Sequence, residues 1–227
     1  MIPKIIWQTH EAKMEELQEP YISNIKTWIE NNKDWEYNYV NSEQRRKHIE
    51  DYRPDLIELY DFRKDGIAQA DIWRLVILEK FGGFYADIDS ICQKNLNYID
   101  FSNEITTISP GEGLDLYTNE IIKTVFANGF LGVSEQSLVI SKVIEEMKIR
   151  FNNVKSKNFL NNAEKDHCYD SKHISDYFVV SYIFSKNLDK ISYGITNTFL
   201  LCNDECKEDS YICHGLKHGG RWTHQYE

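Results

Sequence analysis

Four charged residues that could bind a phosphorylated ligand occur in one stretch of the chain: Asp71, Arg74, Asp87 and Asp89. A single residue separates Asp87 from Asp89, and in an extended segment two such side chains point to the same side. Paired carboxylates can bind a hard divalent cation, Mn²⁺ or Mg²⁺, because these ions prefer oxygen ligands. The cation would bridge a diphosphate and take up negative charge on a leaving nucleotide. Since an Asp-x-Asp pair also occurs in solvated turns, its meaning depends on the residues around it.

The residues around the aspartates predict a helix, a glycine break and a short strand. Apolar residues recur at helical spacing over residues 67–81, with Asp71 and Arg74 three positions apart on one side of the helix. The Gly-Gly pair at 82–83 would end the helix, because a positive φ is favoured there. Residues 84–86 then read as a short buried strand that leads into the aspartate pair. This order would place all four charged side chains around the opening of one binding site. Asp71 and Arg74 could equally form an ion pair on a solvated face.

The same residues resemble the sugar-binding region of the DXD-containing glycosyltransferases of family 32. These enzymes act in bacterial capsule synthesis and fungal mannosyl transfer, and they are distantly related to the large clostridial glucosylating toxins. The matching segments are Ala70–Arg74, Gly82–Asp89, the opening Ile2–Thr9 and, more loosely, Tyr211–His214 and Gly220–Trp222. The resemblance therefore carries most weight at the start of the chain and near the aspartates.

Helical and strand patterns alternate along the chain, which is typical of an α/β sandwich. The resemblance implies a single GT-A domain over residues 1–227, with a mixed central sheet flanked by helices and ligands at the carboxyl ends of the strands. Residues 205–227, rich in glycine and charge, are predicted to form a lid. The patterns predict strands over Lys4–Gln8 and residues 35–41, 91–95, 105–109 and 125–133, and helices over Tyr21–Asn31 and residues 44–52 and 136–151.

Local signals also predict caps and inward faces in these helices. Ser42 is placed as the N-cap of the helix over residues 44–52. Apolar stripes of two helices are predicted to face the core. In the first helix these residues are Ile22, Ile25, Trp28 and Ile29, and in the helix over 136–151 they are Leu138, Val139, Val143, Ile144 and Met147.

The resemblance implies roles for the residues around the aspartates. Asp71 and Arg74 would bind the hydroxyls of the donor sugar and the diphosphate, and they form the catalytic set together with Asp89. Asp89 would bind the cation directly, and Asp87 directly or through water. His214 ends the Tyr-x-x-His pattern of the family tail and would complete the metal shell. His218 is the alternative ligand, because the spacing in this tail is longer than in the family.

Several candidate residues for nucleotide or sugar binding have plainer alternatives. Trp7 would stack on the base, as an aromatic residue does in the related toxins, or it would pack in the core. Tyr85 would either contact the donor or pack in the core. Trp222 would either donate its indole N–H to the diphosphate or pack within the C-terminal tail. The full set of candidates for donor binding is Trp7, Thr9, Tyr85, Asp87, Asn128, Arg221 and Trp222.

Composition excludes several other classes of protein. The 227 residues carry a formal net charge of −10, which argues against a general nucleic-acid binder. No apolar run approaches a membrane span and no signal peptide is recognisable, so a cytoplasmic protein is predicted. The basic run at residues 45–48 leaves peripheral contact with a membrane face open. Five widely spaced cysteines indicate reduced thiols rather than a disulfide framework.

These observations predict a Mn²⁺- or Mg²⁺-dependent retaining glycosyltransferase. It would move a hexose from a nucleotide sugar, UDP-linked by the resemblance of Trp7, to a saccharide or a lipid-linked oligosaccharide in surface polysaccharide or capsule synthesis. The alternatives are an inactive nucleotide-sugar-binding module, an effector that glycosylates proteins, and a Mg²⁺-dependent phosphoryl-transfer enzyme. The chain lacks a Gly-x4-Gly-Lys-Ser/Thr loop, which weakens the last of these.

Overall fold

The structure is a computed structural model that describes residues 1–98, 105–115, 120–156, 193–195 and 212–214, with side chains for residues 1–98 and 129–153. Most of the predicted lid over residues 205–227 lies outside the described residues. The elements are β1 (Ile5–Thr9), α1 (Tyr21–Asn31), β2 (Glu36–Val40), α2 (Ser42–Tyr52), α3 (Ile57–Phe62), α4 (Gly66–Phe81), β3 (Gly83–Ala86), β4 (Ser90–Cys92), β5 (Ile105–Asp115), β6 (Glu120–Val133), α5 (Leu138–Ser156), β7 (Tyr193–Ile195) and β8 (Ile212–His214).

The central sheet has six strands in the order β2-β1-β3-β6-β5-β7. Strand β1 pairs in parallel with β2 and β3, whereas β6 runs antiparallel to both β3 and β5. A second, two-stranded sheet pairs β4 with β8. The predicted α/β class with a mixed central sheet flanked by helices is confirmed. Because β1, β2 and β3 are parallel, their carboxyl ends meet at one edge of the sheet.

The two faces of the sheet build two separate hydrophobic clusters. Side chains alternate along β1 and β3, so Ile6 and Phe84 lie on one face while Trp7 and Tyr85 lie on the other. The first face packs against Trp28 of α1, and the second against residues of α2, α3, α4 and α5. Strand β3 is therefore buried on both sides, which holds its carboxyl end in place.

Helix α4 ends at a glycine pair, as the sequence predicts. Gly82 has φ +63° and its N–H bonds to the carbonyl of Leu78 at 2.9 Å, while Gly83 has φ +98°. A Cβ on Gly83 would stand 2.7 Å from the carbonyl oxygen of Ile5. Only glycine adopts this conformation without strain, and so the pair joins a long helix to β3 with almost no loop.

Two helices begin or face differently from the sequence-based expectation. Asn41 caps α2, because its Oδ1 accepts the N–H of Gln44 at 2.9 Å, while Ser42 donates its hydroxyl to the carbonyl of Glu11. In α1 the buried residues are Asn24, Ile25 and Trp28, whereas Ile29 is 42 % exposed. The predicted inward position of Ile29 is therefore wrong, because the buried face includes Asn24, which donates to the carbonyl of Ile88.

For β4, β5, β6 and α5, the sequence predicts the type of element correctly but not its length. Strand β4 is shorter than expected, and β5 and β6 are longer. Helix α5 begins only at Leu138, after Gln136 adopts φ +54°, and Leu138 is 75 % exposed rather than inward. Within the described part of the chain, no helix is long and apolar enough to cross a membrane.

Candidate functional site

The two aspartates lie on a tight turn between the central sheet and the small second sheet. The N–H of Ser90 donates to the carbonyl of Asp87 at 3.0 Å, and the Ser90 hydroxyl donates to the same oxygen. Asp87 and Asp89 are thus the first and third residues of a hydrogen-bonded turn. The predicted extended conformation of this segment is wrong, because β3 ends at Ala86 and the chain must change direction to enter β4.

A buried ion pair on α4 faces this turn. Arg74 donates from Nη2 to Oδ1 of Asp71 at 2.5 Å, and the same Nη2 lies 3.7 Å from Oδ1 of Asp87. Asp71 is 6 % exposed and Arg74 is 3 % exposed. The alternative of a solvated surface pair is therefore excluded. One guanidinium in a low-dielectric environment links two carboxylates that are far apart in sequence.

Tyr85 contacts both the ion pair and the turn. Its hydroxyl donates to Oδ1 of Asp87 at 2.7 Å, and its ring lies 4.4 Å from Cζ of Arg74. Burial raises the pKa of Tyr85 well above its ordinary value, so the hydroxyl remains a proton donor. Tyr85 is 2 % exposed, which matches the core alternative, and its role as a ligand of the donor stays a prediction.

Trp7 and Thr9 make contacts that belong to the fold. The indole N–H of Trp7 donates to the carbonyl of Gly82 at 3.0 Å, and its ring packs against Trp73 and Phe81. The Thr9 hydroxyl donates to the carbonyl of Val40 at 2.6 Å. These contacts match the core alternative for Trp7. Roles of both residues in nucleotide binding stay predictions.

The turn offers oxygen ligands of the type that a hard cation prefers, but two carboxylates are too few to complete its coordination shell. Asp87 and Asp89 offer carboxylate oxygens, the ligand type that Mn²⁺ and Mg²⁺ prefer. Among the residues whose side chains are described, no group of three or more His, Cys, Asp and Glu is placed to hold a metal ion. Further ligands would have to come from a substrate, water or the remaining part of the chain.

The C-terminal part of the chain reaches this turn through its backbone. Strand β8 pairs antiparallel with β4, and His214 stands opposite Ser90, the residue that follows Asp89. Asn128 precedes Gly129, whose carbonyl accepts the N–H of Asp87 at 2.9 Å. The side chains of His214 and Asn128, and all of His218, Arg221 and Trp222, lie outside the described residues.

Several buried polar side chains hold the turn and were not singled out from the sequence. Gln8 donates from Nε2 to the carbonyl of Asp87 at 3.1 Å, and Tyr37 donates its hydroxyl to Oε1 of Gln8 at 2.9 Å. Asn24 donates to the carbonyl of Ile88 at 3.2 Å. Gln8 and Asn24 interrupt otherwise apolar inward positions, and this is the signal that could have identified them.

The region around this turn is similar to a known family of proteins. A family model described as "Glycosyltransferase sugar-binding region containing DXD motif" matches residues 19–106, which include α4, β3 and the aspartate turn. Residues 19–106 are therefore similar to this sugar-binding region. Within the matched segment, the DXD pattern is the Asp87-Ile88-Asp89 turn.

Relatives of known name share the same region. The chain is 36 % identical over 96 residues to inositol phosphoceramide mannosyltransferase 3 of Schizosaccharomyces pombe, covering 42 % of this chain and 26 % of that protein. It is 29 % identical over 157 residues to an uncharacterized glycosyltransferase of Acanthamoeba polyphaga mimivirus, covering 67 % of this chain and 58 % of the relative. The matches thus span only part of the length of these relatives.

A solved structure shares the fold. The PaToxG glycosyltransferase superposes with a TM-score of 0.57 at 16 % sequence identity, covering 83 % of this chain and 70 % of the other. At this identity the likeness concerns the arrangement of strands and helices. It agrees with the GT-A-like architecture expected for a DXD glycosyltransferase region.

Proposed function

We propose that the chain is a metal-dependent glycosyltransferase that moves a hexose from a nucleotide sugar to a saccharide or lipid acceptor. The observation that carries this proposal is the cluster of Asp71, Arg74 and Asp87 at the carboxyl end of β3, inside a DXD glycosyltransferase region. An open α/β sheet binds its ligands at this edge. The cluster holds both signs of charge, as recognition of a phosphorylated sugar requires.

Asp87 and Asp89 would hold the cation, with His214 as the proposed further ligand from β8. A bound divalent cation supplies electrostatic stabilisation of the negative charge on the departing nucleoside diphosphate. Asp71 accepts hydrogen bonds from donor-sugar hydroxyls, and Arg74 binds diphosphate oxygens while it keeps Asp71 oriented. Retention of the anomeric configuration is proposed from the family resemblance.

UDP is the proposed donor nucleotide. The argument for UDP rests on Trp7, whose ring packs on Trp73 and Phe81 in the core. Two relatives are named as enzymes that transfer mannose or build a mannosyl lipid, and these names favour a mannosyl donor and a lipid acceptor. A cytoplasmic location and a capsule polysaccharide as product stay proposals from the sequence.

A binding panel with one matched pair of variants tests the proposal. The melting temperature is measured with UDP, GDP and their sugars, each with and without Mn²⁺, because a ligand of the folded state raises the midpoint according to its affinity. Asp89→Asn should lose the Mn²⁺-dependent part of nucleotide binding and all transfer. Asp51→Asn, at an exposed helix position paired with Lys47, should retain both.

Two outcomes would redirect the proposal. Wild-type transfer by Asp89→Asn would remove the argument for the cation. Nucleotide-sugar binding without turnover for any saccharide or lipid acceptor would favour the alternative of an inactive binding module. An acceptor panel that includes a protein side chain separates the polysaccharide enzyme from an effector that glycosylates proteins.

A further inference from the structure

Helix α1 makes a row of hydrogen bonds to the chain that carries the aspartates. Three side chains on one face of α1 donate to alternate carbonyls of that chain: Asn24 to Ile88 at 3.2 Å, Trp28 to Ser90 at 3.0 Å and Asn31 to Cys92 at 2.8 Å. Helix positions four and three residues apart share a face. The carbonyls of Ser90 and Cys92 lie on one side of β4. The carbonyl of Ile88 belongs to the aspartate turn just before β4, so the row of donors on α1 continues from the strand into the turn.

We infer that Asn24 is a positioning residue for the two aspartates of the turn. Its acceptor is the carbonyl of Ile88, the residue that stands between Asp87 and Asp89. Asn24 is 6 % exposed, so water does not readily take the place of this donor. A carbonyl fixed at the centre of the turn limits rotation of both flanking peptides, and these peptides set the direction of the carboxylates.

The other bonds around the turn leave this position to Asn24. Asp87 is held by Gln8 at its carbonyl and by Gly129 at its N–H. Ser90 is held by Trp28 at its carbonyl. Between Asp87 and Ser90, the side chain of Asn24 donates a hydrogen bond to the backbone carbonyl of Ile88. The turn is thus restrained at its beginning, centre and end from β1, β6 and α1.

The chemical consequence is a cation site arranged before its ligand arrives. Two carboxylates that repel each other would otherwise turn apart in the free protein, and bringing them together would reduce the affinity for the cation. Residues that orient ligating side chains from behind typically change metal affinity by about 10–100-fold when they are replaced. The inference rests on the proposed function in one respect, namely that the turn binds a divalent cation.

The test compares two replacements that remove equivalent hydrogen bonds. Asn24→Leu removes the donor to Ile88, and Asn31→Leu removes the donor to Cys92, which lies beyond the turn. Mn²⁺ affinity is measured by calorimetry in the presence of UDP or GDP, and the melting temperature is recorded for each variant. Asn24→Leu should weaken Mn²⁺ binding at least about tenfold. Asn31→Leu should lower the melting temperature similarly but leave Mn²⁺ affinity within about twofold of wild type.

Equal losses of Mn²⁺ affinity in the two variants would overturn the inference, since the effect would then be general destabilisation. Unchanged affinity in Asn24→Leu would overturn it as well. If Asn24→Leu does not fold, Asn24→Ser keeps a hydroxyl that is too short to reach Ile88, and the same loss is expected.

A second readout separates this inference from the proposed function. Amide hydrogen exchange of the peptide over residues 86–92 reports the order of the turn without any cation. Faster exchange in Asn24→Leu than in Asn31→Leu is expected, and equal rates would overturn the positioning role. A wild-type protein that binds no Mn²⁺ with either nucleotide would refute the cation step of the proposed function, while the exchange result would still decide the inference.

Discussion

At the scale of single residues, the site depends on how Arg74 is shared. Its guanidinium contacts Asp71, lies near Asp87 and stands over the ring of Tyr85. A buried cation beside two carboxylates fixes the direction of both, since breaking one contact would leave a charge without compensation. The donor sugar would therefore meet acceptors whose directions are set in the free protein.

Asp71→Asn should separate sugar positioning from nucleotide binding. Asparagine keeps the size and the Oδ1 acceptor for Arg74, but it removes the charge that strengthens hydrogen bonds from the sugar hydroxyls. We expect the transfer rate to fall at least about tenfold, or ~1.4 kcal/mol, while nucleotide affinity stays within about twofold. Steady-state kinetics and UDP or GDP titration measure the two quantities. Asp61→Asn, in the exposed pair with Arg46, is the control and should change neither. An equal fall in nucleotide and nucleotide-sugar affinity would instead assign Asp71 to the nucleotide site.

His48 provides a prediction about pH. Its Nδ1 accepts the indole N–H of Trp73 at 3.1 Å, and burial lowers the pKa of His48 below its ordinary value of 6.5. The folded state thus favours neutral histidine, and the unfolded chain binds the proton more readily. Stability should fall as the pH drops through 6.5 and below. His48→Gln keeps an acceptor for Trp73 and should flatten this dependence in urea titrations at several pH values. A parallel pH dependence in His48→Gln would show that another group is responsible.

At the scale of elements, the glycine pair between α4 and β3 has a backbone conformation that other residues adopt only with strain. Gly83→Ala would place a Cβ 2.7 Å from the carbonyl oxygen of Ile5 at a φ of +98°. We expect a loss of about 1–3 kcal/mol in the free energy of unfolding, measured by urea denaturation. Gly66→Ala is the matched control, because its Cβ would meet the flexible end of the Glu11 side chain rather than backbone. A cost for Gly83→Ala no larger than that for Gly66→Ala would contradict the strain argument.

The same elements show what could be predicted from the sequence. Helix α1 has the predicted bounds, Tyr21–Asn31, and the glycine pair has the predicted positive φ, because spacing and backbone freedom are local properties. The sequence predicts an extended aspartate segment, whereas the observed turn closes on Ser90 and is also held by Gln8, Asn24 and Gly129, which lie far away in sequence. Asn24 was missed for the same reason. A polar residue in an apolar stripe shows that a partner exists, and only the folded chain shows which one.

At the scale of the whole molecule, the tail returns to the site through β8. His214 lies opposite Ser90 in the small sheet, so the residues that follow it start beside the aspartate turn. We propose that this segment closes over the donor and brings His214, Arg221 and Trp222 toward the diphosphate. Deletion of the residues after Lys217 should lower donor affinity and transfer rate at least about tenfold each, or ~1.4 kcal/mol. Protease cleavage beyond His214 should slow when nucleotide and Mn²⁺ are added together. Normal transfer by the truncated chain would refute the lid.

The pairing of β1 with β3 also has a consequence for the order of folding. Ile6 lies opposite Phe84 and Trp7 opposite Tyr85, so one edge of β1 pairs with β2 nearby in the chain and the other with a strand far along it. Such non-local pairing closes a long loop and forms slowly compared with helices and hairpins. The turn additionally needs the carbonyl of Gly129 from β6. A fragment that ends before β6 lacks this carbonyl, so the hydrogen bond that holds the N–H of Asp87 forms only once β6 has joined the sheet.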